Sequence, residues 1–164
     1  MTRRTVGLLV TAMIILAASA APGWAQSGYD TRPVRLYVDL GYVNLFSYPK
    51  WLNLGPELEI RLGGSLTFNP DVSLWIRQSG GGTVRVVPGA TVNFRAKRFF
   101  IGGGAVGRVP DWTQNAGGWL VPKAQVGYLA GPTRLTLYGL YLNTTKDIVM
   151  GLTIGMGIGR PSRD

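Results

Sequence analysis

The chain is dominated by segments in which large apolar residues alternate with small or polar ones. The stretch from Met150 to Gly159, MGLTIGMGIG, shows this most clearly, because a large apolar side chain fills every second position and glycine or threonine fills the others. Alternation with a period of two places the two kinds of side chain on opposite faces of a β-strand. After the first 25 residues, no segment has a helical period of any length, and the pattern predicts an all-β protein.

Eight such segments follow one another, separated by clusters of glycine, proline, asparagine and serine that are typical of turns. In most of them the large apolar residues share one parity, whereas Val106, Leu140 and Leu142 in the fifth and seventh segments fall on the opposite face. Eight consecutive strands of this length predict an antiparallel up-and-down β-barrel. The predicted strands are residues 34–44, 54–62, 65–77, 83–95, 99–109, 118–128, 134–143 and 148–160.

Charged residues within a strand also keep one parity, opposite to that of the large apolar residues. Arg35 and Asp39 are separated by an even number of positions, and so are Glu57, Glu59 and Arg61. One face of the barrel is therefore expected to carry the charges. The residues predicted on this face are Arg35, Arg61, Arg77, Arg85, Arg95, Arg108, Lys123, Arg134, Asp39, Glu57, Glu59, Asp71, Asn93 and Gln125.

Alternation alone fits two closed architectures. One is a soluble barrel with an apolar interior around a ligand, as in lipocalins, and the other is a membrane barrel whose apolar face contacts lipid. The connections after odd-numbered strands are mostly longer than those after even-numbered strands, which is the asymmetry of membrane barrels. The longer connections are predicted at residues 45–53, 78–82, 110–117 and 144–147; the first includes FSYPKWLN, and the third overlaps PDWTQNAGG.

Glycine and aromatic positions also favour the membrane barrel. Glycines in the last strand would weaken a water-facing surface, but inside a narrow barrel they leave room for long side chains of neighbouring strands. These glycines are Gly151, Gly155, Gly157 and Gly159, and the expected neighbours are Arg35, Tyr37, Asp39 and Tyr138. Aromatic residues are expected in two belts at the membrane–water boundaries. The belt near the longer loops would contain Tyr42, Phe46, Tyr48, Trp51, Trp112, Trp119 and Tyr141. The belt near the shorter turns would contain Phe94, Phe99 and Tyr128. Tyr37, Trp75 and Tyr138 are expected to point inward.

The N-terminal residues MTRRTVGLLVTAMIILAASAAPGWA have the layout of a secretory signal peptide. Arg3 and Arg4 precede an apolar run, and the small residues Gly23 and Ala25 form a cleavage site. The apolar run is shorter than the roughly 20 residues that a membrane-spanning helix needs. The predicted organisation is a cleavable signal peptide at 1–25, a short segment at 26–33, a barrel at 34–160 and a tail at 161–164.

Composition narrows the function further. Charged residues make up 15% of the chain, against about 25% in ordinary soluble domains, which is too few to coat a water-exposed surface. Cysteine and histidine are absent, which excludes thiolate nucleophiles, imidazole bases and Cys/His zinc sites. The two carboxylates Glu57 and Glu59 are expected to form a structural ion cluster with Arg61. We therefore expect no catalytic, cofactor-binding or metal-binding residue.

The net charge of +9 raises the question of nucleic-acid binding. Phosphate binding requires basic residues gathered on one patch or helix, whereas here they are spread along the whole chain. We therefore expect no nucleic-acid partner.

Over residues 34–160 the chain resembles the small eight-stranded outer-membrane β-barrel proteins of Gram-negative bacteria. The resemblance depends on the strand pattern, the loop asymmetry and the aromatic positions. One departure is that such barrels often end in a C-terminal aromatic residue, whereas Ile158 is followed by GRPSRD. The resemblance implies a porin-like cell-envelope protein in contact with outer-membrane lipids and lipopolysaccharide. It also argues against enzyme activity, because the small barrels that act on lipid acyl chains use a histidine.

Three functions remain open at this point. The first is a non-enzymatic outer-membrane barrel with a structural, adhesion or membrane-integrity role, which could meet an extracellular partner through the loops at 45–53 and 110–117. The second is a narrow passive channel for ions or small solutes. The third is an exported soluble barrel that binds a hydrophobic ligand. Because an eight-stranded interior is just wide enough to be filled by side chains, we expect an ion-paired interior without a wide pore.

Overall fold

The computed structural model describes residues 33–47, 49–78, 82–108, 119–143 and 145–158, which form a closed antiparallel barrel of eight strands. Each strand pairs with the next one along the chain, and the last pairs with the first. The predicted all-β, eight-stranded antiparallel barrel is confirmed. The strands are β1 (Val34–Val43), β2 (Trp51–Gly63), β3 (Leu66–Arg77), β4 (Val84–Ala96), β5 (Phe99–Gly107), β6 (Leu120–Ala130), β7 (Thr133–Leu142) and β8 (Asp147–Ile158).

Several predictions concern parts of the chain outside the described residues and stay predictions. They are the signal peptide at 1–25, most of the segment at 26–33, the loop at 110–117, the tail at 161–164, and the positions of Tyr48, Trp112 and Gly159. Where the chain is described, no helix is long and apolar enough to cross a membrane.

The largest difference from the predicted boundaries is at the start of β2. This strand begins at Trp51 rather than at residue 54, because Trp51 pairs with Val43 of β1 and with Arg77 of β3. The loop predicted at 45–53 is therefore shorter and covers residues 44–50. Trp51 and Asn53 belong to strand β2 and not to a surface loop, and their side chains are buried inside the barrel.

The connections differ between the two ends of the barrel, as predicted. At one end, the short-turn end, all three connections are two-residue turns, at Gly64–Ser65, Lys97–Arg98 and Gly131–Pro132. Each turn contains a residue with positive φ, as two-residue hairpin turns require. At the other end, the long-loop end, the connections are residues 44–50, 78–83, 108–119 and 143–146. The first residue of β1 and the last residue of β8 both lie at the short-turn end.

The large apolar side chains face outward and the charged ones inward. Leu40 and Met156 are 52% and 63% exposed, whereas Asp39 and Arg134 are 6% and 2% exposed. No outward position of the eight strands carries a charged residue, so the apolar outer surface extends around the whole barrel. This orientation is the reverse of a soluble barrel with an apolar cavity, in which the apolar face would line the interior.

The glycines of β8 provide the space that the sequence predicts. A Cβ atom at Gly151 would overlap the ring of a buried tyrosine, and one at Gly155 would overlap a buried carboxylate. The prediction is confirmed for three of the four glycines, the fourth lying outside the described residues. The neighbours are Gly151 with Tyr138, Gly155 with Asp39, and Gly157 with Tyr37 and Arg35.

Candidate functional site: the filled barrel interior

The half of the interior near the short-turn end is filled by charged and polar side chains, here called the polar layer. Arg134 of β7 is at its centre, and its Nη2 donates to both carboxylate oxygens of Asp39 at 3.0 and 2.9 Å. Its Nη1 donates to Glu57 Oε1, which also accepts a hydrogen bond from Asn69 Nδ2 at 2.7 Å. One arginine, 2% exposed, thus joins β1, β2 and β7 across the interior.

A second group of polar contacts lies on the other side of the polar layer. Arg95 Nη1 donates to Glu59 Oε1 at 2.8 Å, and both side chains are buried. Gln125 Nε2 donates to Thr91 Oγ1 at 3.0 Å and to Asn93 Oδ1 at 2.8 Å. Charged groups can be held in an interior only when they are paired in this way, because an unpaired buried charge is very costly.

Aromatic rings complete the packing around the central arginine. The guanidinium of Arg134 lies 4.3 Å from the ring centroid of Tyr37 and 5.9 Å from that of Phe100. Rings at such distances attract a cation through their quadrupole. Glu57 and Glu59, which were expected to form an ion cluster with Arg61, accept hydrogen bonds from the buried arginines Arg134 and Arg95. Their surroundings are those of a structural ion cluster.

The half of the interior near the long-loop end is different in character and forms an apolar layer. All eight strands contribute to this layer, and its side chains are at most 9% exposed. These side chains form one buried apolar cluster between the polar layer and the long-loop end. Its members are Val43, Trp51, Trp75, Val87, Val106, Val121, Tyr138, Leu140, Leu142 and Val149.

The apolar layer corrects one prediction and explains another. Trp51 was expected in the outer belt of aromatic residues, but its side chain is fully buried inside the barrel. The unexpected parity of Val106, Leu140 and Leu142 is also explained, since these residues face inward as members of this layer. A signal was available in the sequence: alternation breaks down at the long-loop end of several strands, where apolar residues are adjacent, as in Val86–Val87 and Leu120–Val121.

The predicted charged face is confirmed inside the barrel but is buried to different depths. Asp39, Glu57, Glu59, Asn93, Arg95, Gln125 and Arg134 are buried. Arg35, Arg61, Asp71, Arg77, Arg85 and Lys123 are half-buried, and Arg108 is exposed just beyond the end of β5. Most of the more exposed basic residues lie towards one of the two ends of the barrel. Lys123 extends towards Tyr138, with Nζ 5.0 Å from the ring centroid.

The outward-facing aromatic residues lie towards the two ends of the barrel. Tyr42, Phe46, Trp119 and Tyr141 are exposed at the long-loop end. At the short-turn end Phe99 and Tyr128 are in contact, with ring centroids 5.0 Å apart. Tyr37, Trp75 and Tyr138 point inward, as predicted. Within the residues that the structure describes, no group of three or more acidic, histidine or cysteine side chains is arranged to hold a metal ion.

These features define a closed, eight-stranded antiparallel β-barrel with an apolar exterior and a filled interior. The chain is similar to the solution NMR structure of de novo designed TMB2.3, with a TM-score of 0.51 and 11% sequence identity over 80% of this chain and 100% of that chain. It is also similar to a structure described as de novo design of transmembrane beta-barrels, with a TM-score of 0.44 and 11% identity over 79% of this chain and 100% of that chain. At this level of identity the similarity concerns the fold alone. No protein-family model matches the chain, and no curated protein matches it.

Proposed function

We propose that the protein spans a membrane as a non-enzymatic β-barrel with a structural role. The observation that carries the proposal is the apolar outer surface, which continues around all eight strands. Soluble monomers rarely expose a continuous apolar patch larger than a few hundred Å². Such a surface is stable in contact with acyl chains.

The interior favours a structural role over a channel. Val43, Trp51 and Leu140 are fully buried across the long-loop end, and Arg134 is almost completely buried in the layer below. Conduction needs a continuous path for water, and an apolar constriction closes such a path by dewetting. The passive channel is therefore the less supported alternative.

The bacterial outer membrane is the location that we propose. The predicted signal peptide, the resemblance to small outer-membrane barrels and the loop asymmetry support this location. The expected neighbours are outer-membrane lipids on the barrel wall and lipopolysaccharide at the long-loop end.

The loop at residues 44–50 supports an additional adhesive role at the long-loop end. Asn44 Nδ2 donates to the carbonyl oxygen of Pro49 at 3.0 Å, and Asn44 Oδ1 accepts a hydrogen bond from Ser47 Oγ at 2.5 Å. Phe46 of the same loop is 84% exposed. Aromatic side chains are enriched in contact surfaces between proteins. With the loop at 110–117, this loop is the proposed contact surface for an extracellular partner.

Membrane fractionation followed by gel electrophoresis tests the membrane proposal. The full chain, expressed in a Gram-negative host, is expected in the outer-membrane fraction and should need detergent for extraction. A folded barrel should migrate differently in unboiled and boiled samples. A protein that remains soluble without detergent would contradict the proposal.

A further inference from the structure

The outer surface of the barrel is not equally bulky all the way round. On β1, β2, β3 and β8 every outward position carries a large apolar residue or proline. On β5, β6 and β7, by contrast, Gly103, Ala124 and Gly139 lie side by side, because Gly103 pairs with Ala124 and Ala124 with Gly139. These three residues form the floor of an apolar groove of about 520 Å³. Its walls include Val92, Phe94, Ile101, Val126, Leu137 and Met150.

The groove points towards a basic turn at the short-turn end. Ile101 and Val126 form the wall of the groove that is nearer the short-turn end. The contacting rings of Phe99 and Tyr128 occupy the next outward positions towards that end. Arg98 Nη1 donates to the hydroxyl of Tyr128 at 3.3 Å. An apolar groove, an aromatic pair and a cationic turn thus follow one another along β5 and β6.

In the described residues of β4 to β7 and their connecting turns, every charged side chain is basic. The described residues between Gly82 and Asn143 contain no aspartate or glutamate. Lys97 and Arg98 form the turn between β4 and β5 and are exposed. From Arg98 to Gly103 the strand rises roughly 16 Å at about 3.3 Å per residue. An occupant that matches this surface therefore has an anionic group at one end and an extended apolar body.

We propose that this surface is a binding site for one anionic glycerophospholipid of the leaflet at the short-turn end. Lys97 and Arg98 bind the phosphate, the glycerol lies beside Phe99 and Tyr128, and one acyl chain fills the groove over Gly103. The groove volume lies within the range typical of small-molecule sites, roughly 300 to 1,000 Å³. The inference rests on the proposed function, because it requires the barrel to lie in a membrane.

Native mass spectrometry of the full chain purified from membranes tests the site. The detergent-solubilised barrel is titrated with dioleoylphosphatidylglycerol or with dioleoylphosphatidylcholine, which has the same acyl chains but no net charge. The first lipid is expected to bind with a stoichiometry of one and with several-fold higher affinity. Added salt should reduce the difference, because exposed charges are screened. Equal affinity for the two lipids, or a protein dimer that occupies the groove in place of lipid, would overturn the proposal.

Two charge variants test the headgroup contact. Arg98→Gln keeps a polar, hydrogen-bonding side chain and removes its charge, and it is expected to weaken binding of the anionic lipid about fivefold. Lys97→Asn should have a similar effect, because asparagine tolerates the positive φ of this position. The matched control is Lys146→Asn, since Lys146 is also exposed and has positive φ but lies in a turn at the long-loop end. A loss of affinity in Lys146→Asn as large as in Lys97→Asn would count against the site.

Gly103→Leu tests the acyl-chain contact by filling the groove. A Cβ atom at Gly103 would meet only the carbonyl oxygen of Lys123, at 3.7 Å, and the variant is expected to fold. Both lipids should then bind severalfold more weakly. Val38→Phe adds comparable bulk to the outer face of β1, outside the groove, and should leave binding unchanged. If Gly103→Leu does not fold, Ala124→Leu fills the same groove from β6.

The two proposals fail in different ways. Failure to insert in membranes, read from fractionation and the gel shift, would remove the membrane barrel itself. A protein that inserts normally but shows no preference for the anionic lipid, or no effect of Gly103→Leu, would remove only the lipid site.

Discussion

At the scale of single residues, the barrel interior depends on small residues placed opposite large ones. Gly155 of β8 lies against Asp39 of β1, and Gly127 of β6 lies against the ring of Phe100 on β5. Each glycine allows a larger inward side chain of the neighbouring strand to lie across it. Interiors packed in this way tolerate added atoms poorly.

Gly155→Ala is therefore expected to destabilise the barrel by about 1 to 3 kcal/mol, the range for overpacked interiors. The added methyl group would overlap Asp39 Oδ1 and lie 3.3 Å from Arg134 Nε. Urea unfolding in lipid vesicles, followed by tryptophan fluorescence, measures the change. The control is Gly103→Ala, which adds the same group to the open outer face. Equal destabilisation by both variants would contradict the assignment of Gly155 to a crowded interior.

Arg134→Met is expected to lower the free energy of unfolding by about 3 to 5 kcal/mol, more than Gly155→Ala does. The reason is that it leaves Asp39 and Glu57 buried without their cation. The same unfolding assay measures it. Adding Asp39→Asn and Glu57→Gln to this variant should recover part of the stability, since the buried charges are then removed. Arg98→Met, at an exposed arginine, should change stability by less than about 1 kcal/mol. An equally small effect of Arg134→Met would show that the ion cluster contributes little to stability.

Sequence parity predicted which of these side chains face inward, but not which of them meet. Arg134 contacts Asp39 and Glu57 although 95 and 77 positions separate them along the chain. Asp39 is two strands away around the closed barrel, whereas Glu57 lies farther round the wall. Periodicity carries no information about how far a long side chain reaches across an enclosed space.

At the scale of the strands, several elements change in character along their length. The inward face of β1 carries Asp39 near its middle and Val43 at the long-loop end, and that of β4 carries Arg95 at the short-turn end and Val87 towards the long-loop end. The outer face was predictable because it stays apolar along the whole strand. The inner face was predicted only in part, because an inward apolar residue beside an outward one looks like an interruption of the alternation.

The position of Trp51 at the start of β2 gives a test at this scale. In a variant that keeps Trp51 as its single tryptophan, fluorescence is expected to resist quenching both by aqueous acrylamide and by brominated lipids, since the ring lies in the apolar layer. A matching variant that keeps only Trp119, which is 91% exposed, should be quenched readily by acrylamide. Strong quenching of Trp51 by brominated lipid would instead place it on the outer face.

At the scale of the whole molecule, the protein combines an apolar outside with a closed inside. The apolar layer spans the interior at the long-loop end, and the polar layer fills it below. The fold itself was predictable, because eight alternating segments with short and long connections have few closed arrangements. The apolar layer was not predicted, because it results from residues of all eight strands that meet only when the barrel closes.

The closed interior predicts that the reconstituted protein carries no steady ionic current. Planar-bilayer recordings are the measurement, with a wide bacterial porin in the same lipid as the positive control. Insertion of the protein is checked separately by the gel shift in vesicles of that lipid. A steady open-state current from the inserted barrel would support the passive-channel alternative.

The pairing of β8 with β1 has a consequence for how the molecule is assembled. Seven of the eight strand pairings join sequence neighbours, whereas Leu36 pairs with Ile158 across almost the entire described chain. Contacts between distant residues form late, because the intervening polypeptide must first be ordered. Until then, the backbones of the first and last strands remain open edges on which another polypeptide could add a strand. This seam is where a chaperone or an insertion machine would have to protect the nascent barrel, and where two incomplete barrels could exchange strands.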